Sequence, residues 1–219
     1  MFATAYLVWC AVFLIVWLAL YVWRPSARRS MVLVSLFATP LGPLSQYLHV
    51  QDYWRPETIT GTLIGPEDFI IAFMIGGITA GLYSFFRNAR HPRSQRSGLV
   101  VPILCAYVLG VVLMYGSFYG LGLSSIAGAF LLLGLFALVP ALMKPWVLKG
   151  AVLTGVAFTF FLFLFYTGFF WYYQGIVDAW WFGASGERLY GIPIEEFVWA
   201  FLWGIAAASG SEVLERIKL

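Results

Sequence analysis

The chain has 219 residues, of which 62% are hydrophobic, 19% aromatic and only 11% charged, with a formal net charge of +3. So apolar a composition excludes a soluble globular domain of ordinary make-up. The small positive balance reflects how the charges are sorted rather than a basic face, so it points to no nucleic-acid partner.

A membrane helix needs roughly 20 mostly apolar residues. Seven stretches qualify, at about 2–23, 31–50, 69–86, 99–118, 124–143, 148–172 and 195–210. The fold expected is an all-α integral membrane protein with seven transmembrane helices. The first stretch has no basic residues before it, and Arg24, Arg28 and Arg29 follow it, so it reads as a retained helix rather than a cleaved signal. The second contains Ala38-Thr39-Pro40-Leu41-Gly42-Pro43, whose prolines and glycine predict a kink. Its far end carries Ser45, Gln46, Tyr47 and His49, the most polar helical run in the chain. The sixth ends in Phe169-Phe170-Trp171-Tyr172-Tyr173-Gln174, and the loop beyond adds Trp180 and Trp181. Tyr and Trp gather at membrane interfaces in any case, yet these rings cluster beside carboxylates instead of girdling both faces. Cys10 and Cys105 lie inside apolar helices and read as small buried residues.

Charge is sorted by side. One set of helix ends holds Arg24, Arg28, Arg29, Arg87, Arg90, Arg93, Arg96, Lys144, Lys149, Arg216 and Lys218, with Glu212 and Glu215 the acids among them. The other holds Asp52, Glu57, Glu67, Asp68, Asp178, Glu187, Glu195 and Glu196, with Arg55 and Arg188 as bases. The positive-inside rule then gives a multi-pass protein of the cell membrane, with its N-terminus outside and its C-terminus cytoplasmic.

The acids also repeat. Ile64-Gly65-Pro66-Glu67-Asp68-Phe69-Ile70-Ile71-Ala72-Phe73 aligns without gaps on Ile192-Pro193-Ile194-Glu195-Glu196-Phe197-Val198-Trp199-Ala200-Phe201, a shift of 128 residues. Trp23-Arg24-Pro25 and Met143-Lys144-Pro145 echo each other at the ends of the first and fifth segments. Helices 1 to 3 therefore correspond to helices 5 to 7, with helix 4 restoring the direction: two parallel three-helix repeats, 1–97 and 124–219, joined by a linker helix at 98–123. Such symmetry places Glu67/Asp68 and Glu195/Glu196 at one membrane depth, facing a shared cavity. Adjacent buried carboxylates suit general acid and base work. The competing reading is that first-turn acids merely cap their helices.

These residues resemble the small membrane lycopene cyclase family, which occurs as two three-helix subunits or as a fused seven-helix domain. The resemblance rests on Pro193-Ile194-Glu195-Glu196-Phe197, on Pro66-Glu67-Asp68-Phe69, on the aromatic loop before each, and on the three plus one plus three layout. The first copy departs from the second: it lacks the residue between Pro and the acids, and has Asp68 where the second has Glu196. The family implies redox-neutral cyclisation of the linear ψ end of a carotenoid to a β-ionone ring, with Glu67, Asp68, Glu195 and Glu196 as acid and base. Candidate residues around the substrate are Gln46, Trp54, Phe69, Tyr173, Trp180, Trp181 and Phe197. No nucleotide, flavin or metal motif accompanies them, so no cofactor and no metal are expected. The partners implied are lycopene or a related linear carotenoid and the lipid bilayer, with self-association or other carotenoid enzymes as further partners the family allows. Two other functions fit the same scaffold: a small-molecule transporter with the three plus one plus three layout, and a carotenoid-binding subunit without chemistry.

Overall fold

A computed structural model describes residues 2, 4–87, 100–138 and 145–214. Arg90, His91, Arg93, Arg96, Lys144, Glu215, Arg216 and Lys218 lie outside the described residues, as does the expected helix end at 139–143.

Helix α1 (Ala5–Trp23) is an unbroken apolar run without Gly or Pro, and it stops at Arg24 because Pro25 disfavours helical backbone at the residue before it. The second apolar segment forms two helices, α2 (Arg28–Ala38) and α3 (Leu41–Asp52), bent by 42° at Thr39-Pro40. Pro40 and Pro43 supply no amide hydrogen to the ladder there, which accounts for the bend expected from the sequence. Helix α4 (Pro66–Phe86) begins three residues earlier than the expected 69, which puts Glu67 and Asp68 inside its first turn. Pro66 opens it, and the Asp68 side chain reaches back to accept the Gly65 backbone N–H at 2.7 Å.

Helix α5 (Val100–Leu121) leads to α6 (Ser125–Leu138), α7 (Pro145–Tyr172) and the short α8 (Ile176–Trp180). A two-residue hairpin that the sequence reading had not anticipated pairs β1 (Arg188–Leu189) with β2 (Ile192–Pro193). Its turn, Tyr190-Gly191, takes left-handed backbone at both positions, as a tight two-residue hairpin requires. The hairpin runs directly into α9 (Ile194–Leu214).

Helix α4 packs on α1, α2, α7 and α9, while α9 packs chiefly on α7 and α6. Where α7 crosses α9 the backbones nearly touch: a methyl group on Gly204 would fall 2.6 Å from the Gly155 Cα. The ends of these helices sort into two groups. Arg24 at the end of α1 donates to Ser84 near the end of α4, and Tyr83 donates to Glu212 near the end of α9. At the opposite ends, Tyr6 of α1, Tyr53 after α3, and the first turns of α4 and α9 come together.

Helices α1, α4 and Val147–Tyr172 of α7 are long and apolar enough to cross a membrane, and the bent α2–α3 pair makes a fourth if taken as one span. The expected count of seven goes beyond that measure, because the described parts of α5 and α6 are shorter and α9 opens on two carboxylates. Large apolar side chains such as Ile15, Val22, Val112 and Phe160 face outward, as they do in a protein surrounded by lipid.

Candidate active site

A cavity with about 980 Å³ of empty space, its open mouth included, lies between α1, α3, α4, α6, α7 and α9. Two carboxylates line it, Asp68 and Glu196, one from the first turn of each acidic helix. Asp68 is 1% exposed and Glu196 8%. These are the second members of their pairs, at equivalent positions in the 128-residue register.

The first members do something else. Glu67 Oε1 accepts the Ile59 backbone N–H at 2.6 Å, and Glu195 Oε1 accepts that of Ser185 at 2.7 Å. Neither lines the cavity. In both, Oε2 is buried without a partner. Each first acid thus clasps the loop that precedes its own helix instead of capping the first turn; in α4 the capping bond is made by the second acid, Asp68.

Asp68 Oδ1 accepts the Tyr6 hydroxyl at 2.8 Å, while Oδ2 is spent on the Gly65 cap. Glu196 accepts three donors from three segments: Tyr53 Oη at 2.7 Å and Trp181 Nε1 at 2.8 Å on Oε1, and Tyr166 Oη at 2.6 Å on Oε2. Tyr53 lies in the loop after α3. Burial, and next the Glu196 carboxyl beside it, push its phenol far up, so it remains a donor.

Between and around the carboxylates stands an aromatic wall. Trp9, from the middle of α1's first half, stacks on Trp181 with centroids 6.3 Å apart and also meets Trp54, at 5.8 Å, and Tyr166. Trp199 and Trp203 stack on each other at 5.7 Å and line the cavity one and two turns beyond Glu196. The loops that carry Trp54 and Trp181 are tied together, since Arg55 N–H donates to the Trp180 carbonyl and Gly183 N–H to the Tyr53 carbonyl. Gly183 is required by that approach: a methyl group on it would fall 1.6 Å from the Asp52 carbonyl oxygen.

The other residues singled out by sequence distribute unevenly. Gln46, Trp54 and Trp181 line the cavity. Trp180 is buried one layer behind, edge-on to Tyr6, and Tyr173 packs against Phe2 and Phe169. Phe69 is 45% exposed and faces away, and Phe197 sits in an outer groove beside Phe163. Arg55 bonds the Val50 carbonyl, and Arg188 pairs with exposed Asp178, so neither touches a cavity carboxylate. His49 lines the cavity and is tied through Nδ1 to Ser125, whose backbone N–H is capped by Asp52. Among the described residues, no group of three or more His, Cys, Asp or Glu is arranged to hold a metal ion.

Sequence reasoning missed Tyr6, Trp9, Tyr166, Trp199 and Trp203. Their signal was present as aromatic residues in apolar helices, but an interfacial belt produces the same pattern. Trp199 and Trp203 alone had a further cue, their spacing of three and seven residues from Glu196, which puts all three on one helical face.

Residues 124–214 match the family model described as lycopene cyclase. Over those residues the chain is similar to the lycopene cyclase family, which supports assigning it there. The matched stretch carries Tyr166, Trp181 and Glu196, whereas Asp68, Tyr6, Trp9 and Trp54 come from outside it. The match supports a carotenoid cyclase activity in general. No curated protein and no solved structure matches the chain.

Proposed function

We propose that the protein is a lycopene cyclase that converts a linear ψ end group to a β-ionone ring by acid and base chemistry at Asp68 and Glu196. One observation carries this reading: two buried carboxylates, one from each half, line a single apolar cavity walled by indole rings. A carboxylic acid protonates the terminal alkene, the neighbouring double bond closes on the tertiary cation, and a carboxylate removes a ring proton. Positioned acids and bases contribute about 10²–10⁴-fold to such steps. A carbocation has no hydrogen-bonding handle, so the indoles that line the cavity, Trp9, Trp54, Trp181, Trp199 and Trp203, are the groups suited to stabilise it. Glu67 and Glu195 hold the loops that close the acidic end of the cavity and do not touch the reacting carbons.

The finer topology belongs to the same proposal. Helix α1, the α2–α3 pair, α4, α5, α6, α7 and α9 make seven crossings in alternating direction, grouped as 1–97, 98–123 and 124–219, with the acidic end outside. The hydrocarbon substrate enters from the bilayer. Expression in cells that accumulate lycopene tests the function. Pigment chromatography should reveal γ- or β-carotene with the wild-type chain and lycopene alone with Asp68→Asn/Glu196→Gln. Unchanged lycopene beside folded wild-type protein would sink the cyclase reading and favour a carotenoid-binding or transport role.

A further inference from the structure

The two carboxylates stand against unlike walls. Below Asp68 on α4, the cavity is lined by Ile71, Ala72 and Ile75. Below Glu196 on α9, it is lined by Trp199 and Trp203. Their partners differ in the same sense. Asp68 has one side-chain partner, the Tyr6 hydroxyl, which can give or accept a hydrogen bond, so that link survives with the proton on either oxygen. Glu196 accepts two phenols and an indole N–H, and the indole only donates. With about four lone-pair positions on a carboxylate, these three donors leave one free position, on Oε2.

We infer that the work is divided between the halves, with Asp68 the acid that starts the cyclisation and Glu196 the base that ends it. This rests on the lycopene cyclase reading above. The neutral alkene lies against the aliphatic wall, and Asp68 delivers its proton to C2, leaving a cation at C1. The C5=C6 electron pair forms the C1–C6 bond and moves the positive charge to C5, now against the Trp199/Trp203 wall. Glu196 Oε2 takes the proton from C6, whose C–H electrons restore the C5=C6 double bond. One proton enters and one leaves, so the net change is isomerisation. Glu196 finishes with a proton and Asp68 without one, and exchange with solvent past the loops resets both. Tyr53, Tyr166 and Trp181 are positioning residues for the base, as Tyr6 is for the acid.

Isotopes separate the two roles. The purified chain in liposomes loaded with lycopene, in deuterium oxide, should yield a ring carrying one deuterium at C2. The Glu196→Gln variant should form product at least about 100-fold more slowly, yet return lycopene labelled at C2, because protonation still occurs and reverses. Asp68→Asn should return unlabelled lycopene. Label in the Asp68→Asn lycopene and none with Glu196→Gln, or label with neither, overturns the division. Should either variant fail to fold, the milder Tyr→Phe variants decide. With lycopene deuterated at C6, Tyr53→Phe and Tyr166→Phe should enlarge the substrate isotope effect on turnover, and Tyr6→Phe should enlarge the solvent effect instead. The opposite pairing refutes the assignment. Unconverted lycopene with the wild-type chain would instead overturn the cyclase reading itself.

Discussion

At α4 and at α9 the chain builds the same device from different parts. Each helix opens on two acids, each first acid accepts one backbone N–H of the preceding loop, and each second acid enters the cavity. The surroundings then diverge. Asp68 has one phenol and aliphatic neighbours, while Glu196 has two phenols, an indole N–H and a stack of two indoles along its helix. Helix position sets where a carboxylate points, and the residues a turn or two further on set what chemistry it faces. The family match, which covers Glu196 and not Asp68, follows the more elaborated of the two.

The largest effects should come from the cavity acids. Asp68→Asn and Glu196→Gln keep size and hydrogen-bonding shape, and each should lower turnover by about 10²–10⁴-fold. Because the two act on one reacting end group, the double variant should be little worse than the poorer single one. Fold-losses that multiply instead, measured by product formation in liposomes, would mean that the two carboxylates lower the barrier independently of each other.

A smaller effect should come from the walls. Trp203→Leu removes one ring of the stack beside Glu196. A desolvated cation–π contact is worth about 2 kcal/mol, so turnover should fall by roughly 30-fold with little change in KM. Ile75→Val on the opposite wall should change turnover by less than about threefold, since it alters packing and no charge interaction. Equal losses in the two variants would show that the walls serve shape alone.

The pattern of these walls explains what the sequence could tell. The membrane character, the bend at Pro40 and the paired acids were all legible, because each depends on local chemistry: apolar run length, missing amide hydrogens, and a gapless repeat. The split within each pair was not. Glu67 and Asp68 are neighbours in sequence, and only the path of the loop decides that Ile59 N–H reaches the first and Tyr6 the second. Trp9 was hidden for a different reason. An indole in an apolar helix looks alike whether it faces lipid headgroups or a cavity, and its neighbours Trp54 and Trp181 come from distant loops joined by backbone bonds that no periodicity reports. Phe69 and Phe197 follow directly after the acids, and one residue of helical rotation takes both off the cavity, Phe69 to the exposed surface and Phe197 to a half-buried position beside an outer groove.

The first acids should also affect turnover little, and the two should behave alike. Glu67→Gln and Glu195→Gln each keep a carbonyl oxygen to accept Ile59 N–H or Ser185 N–H, and give the orphaned position an amide in place of a bare oxygen. Turnover should stay within a few-fold of wild type. Glu67→Leu and Glu195→Leu keep bulk but strand a backbone N–H, which costs about 1–3 kcal/mol. Both should lower the thermal midpoint in detergent by similar amounts. If Glu195→Gln alone abolished turnover while its midpoint held, the first acid of the second pair would be part of the chemistry, and the symmetry of the loop clasps would be coincidental to function.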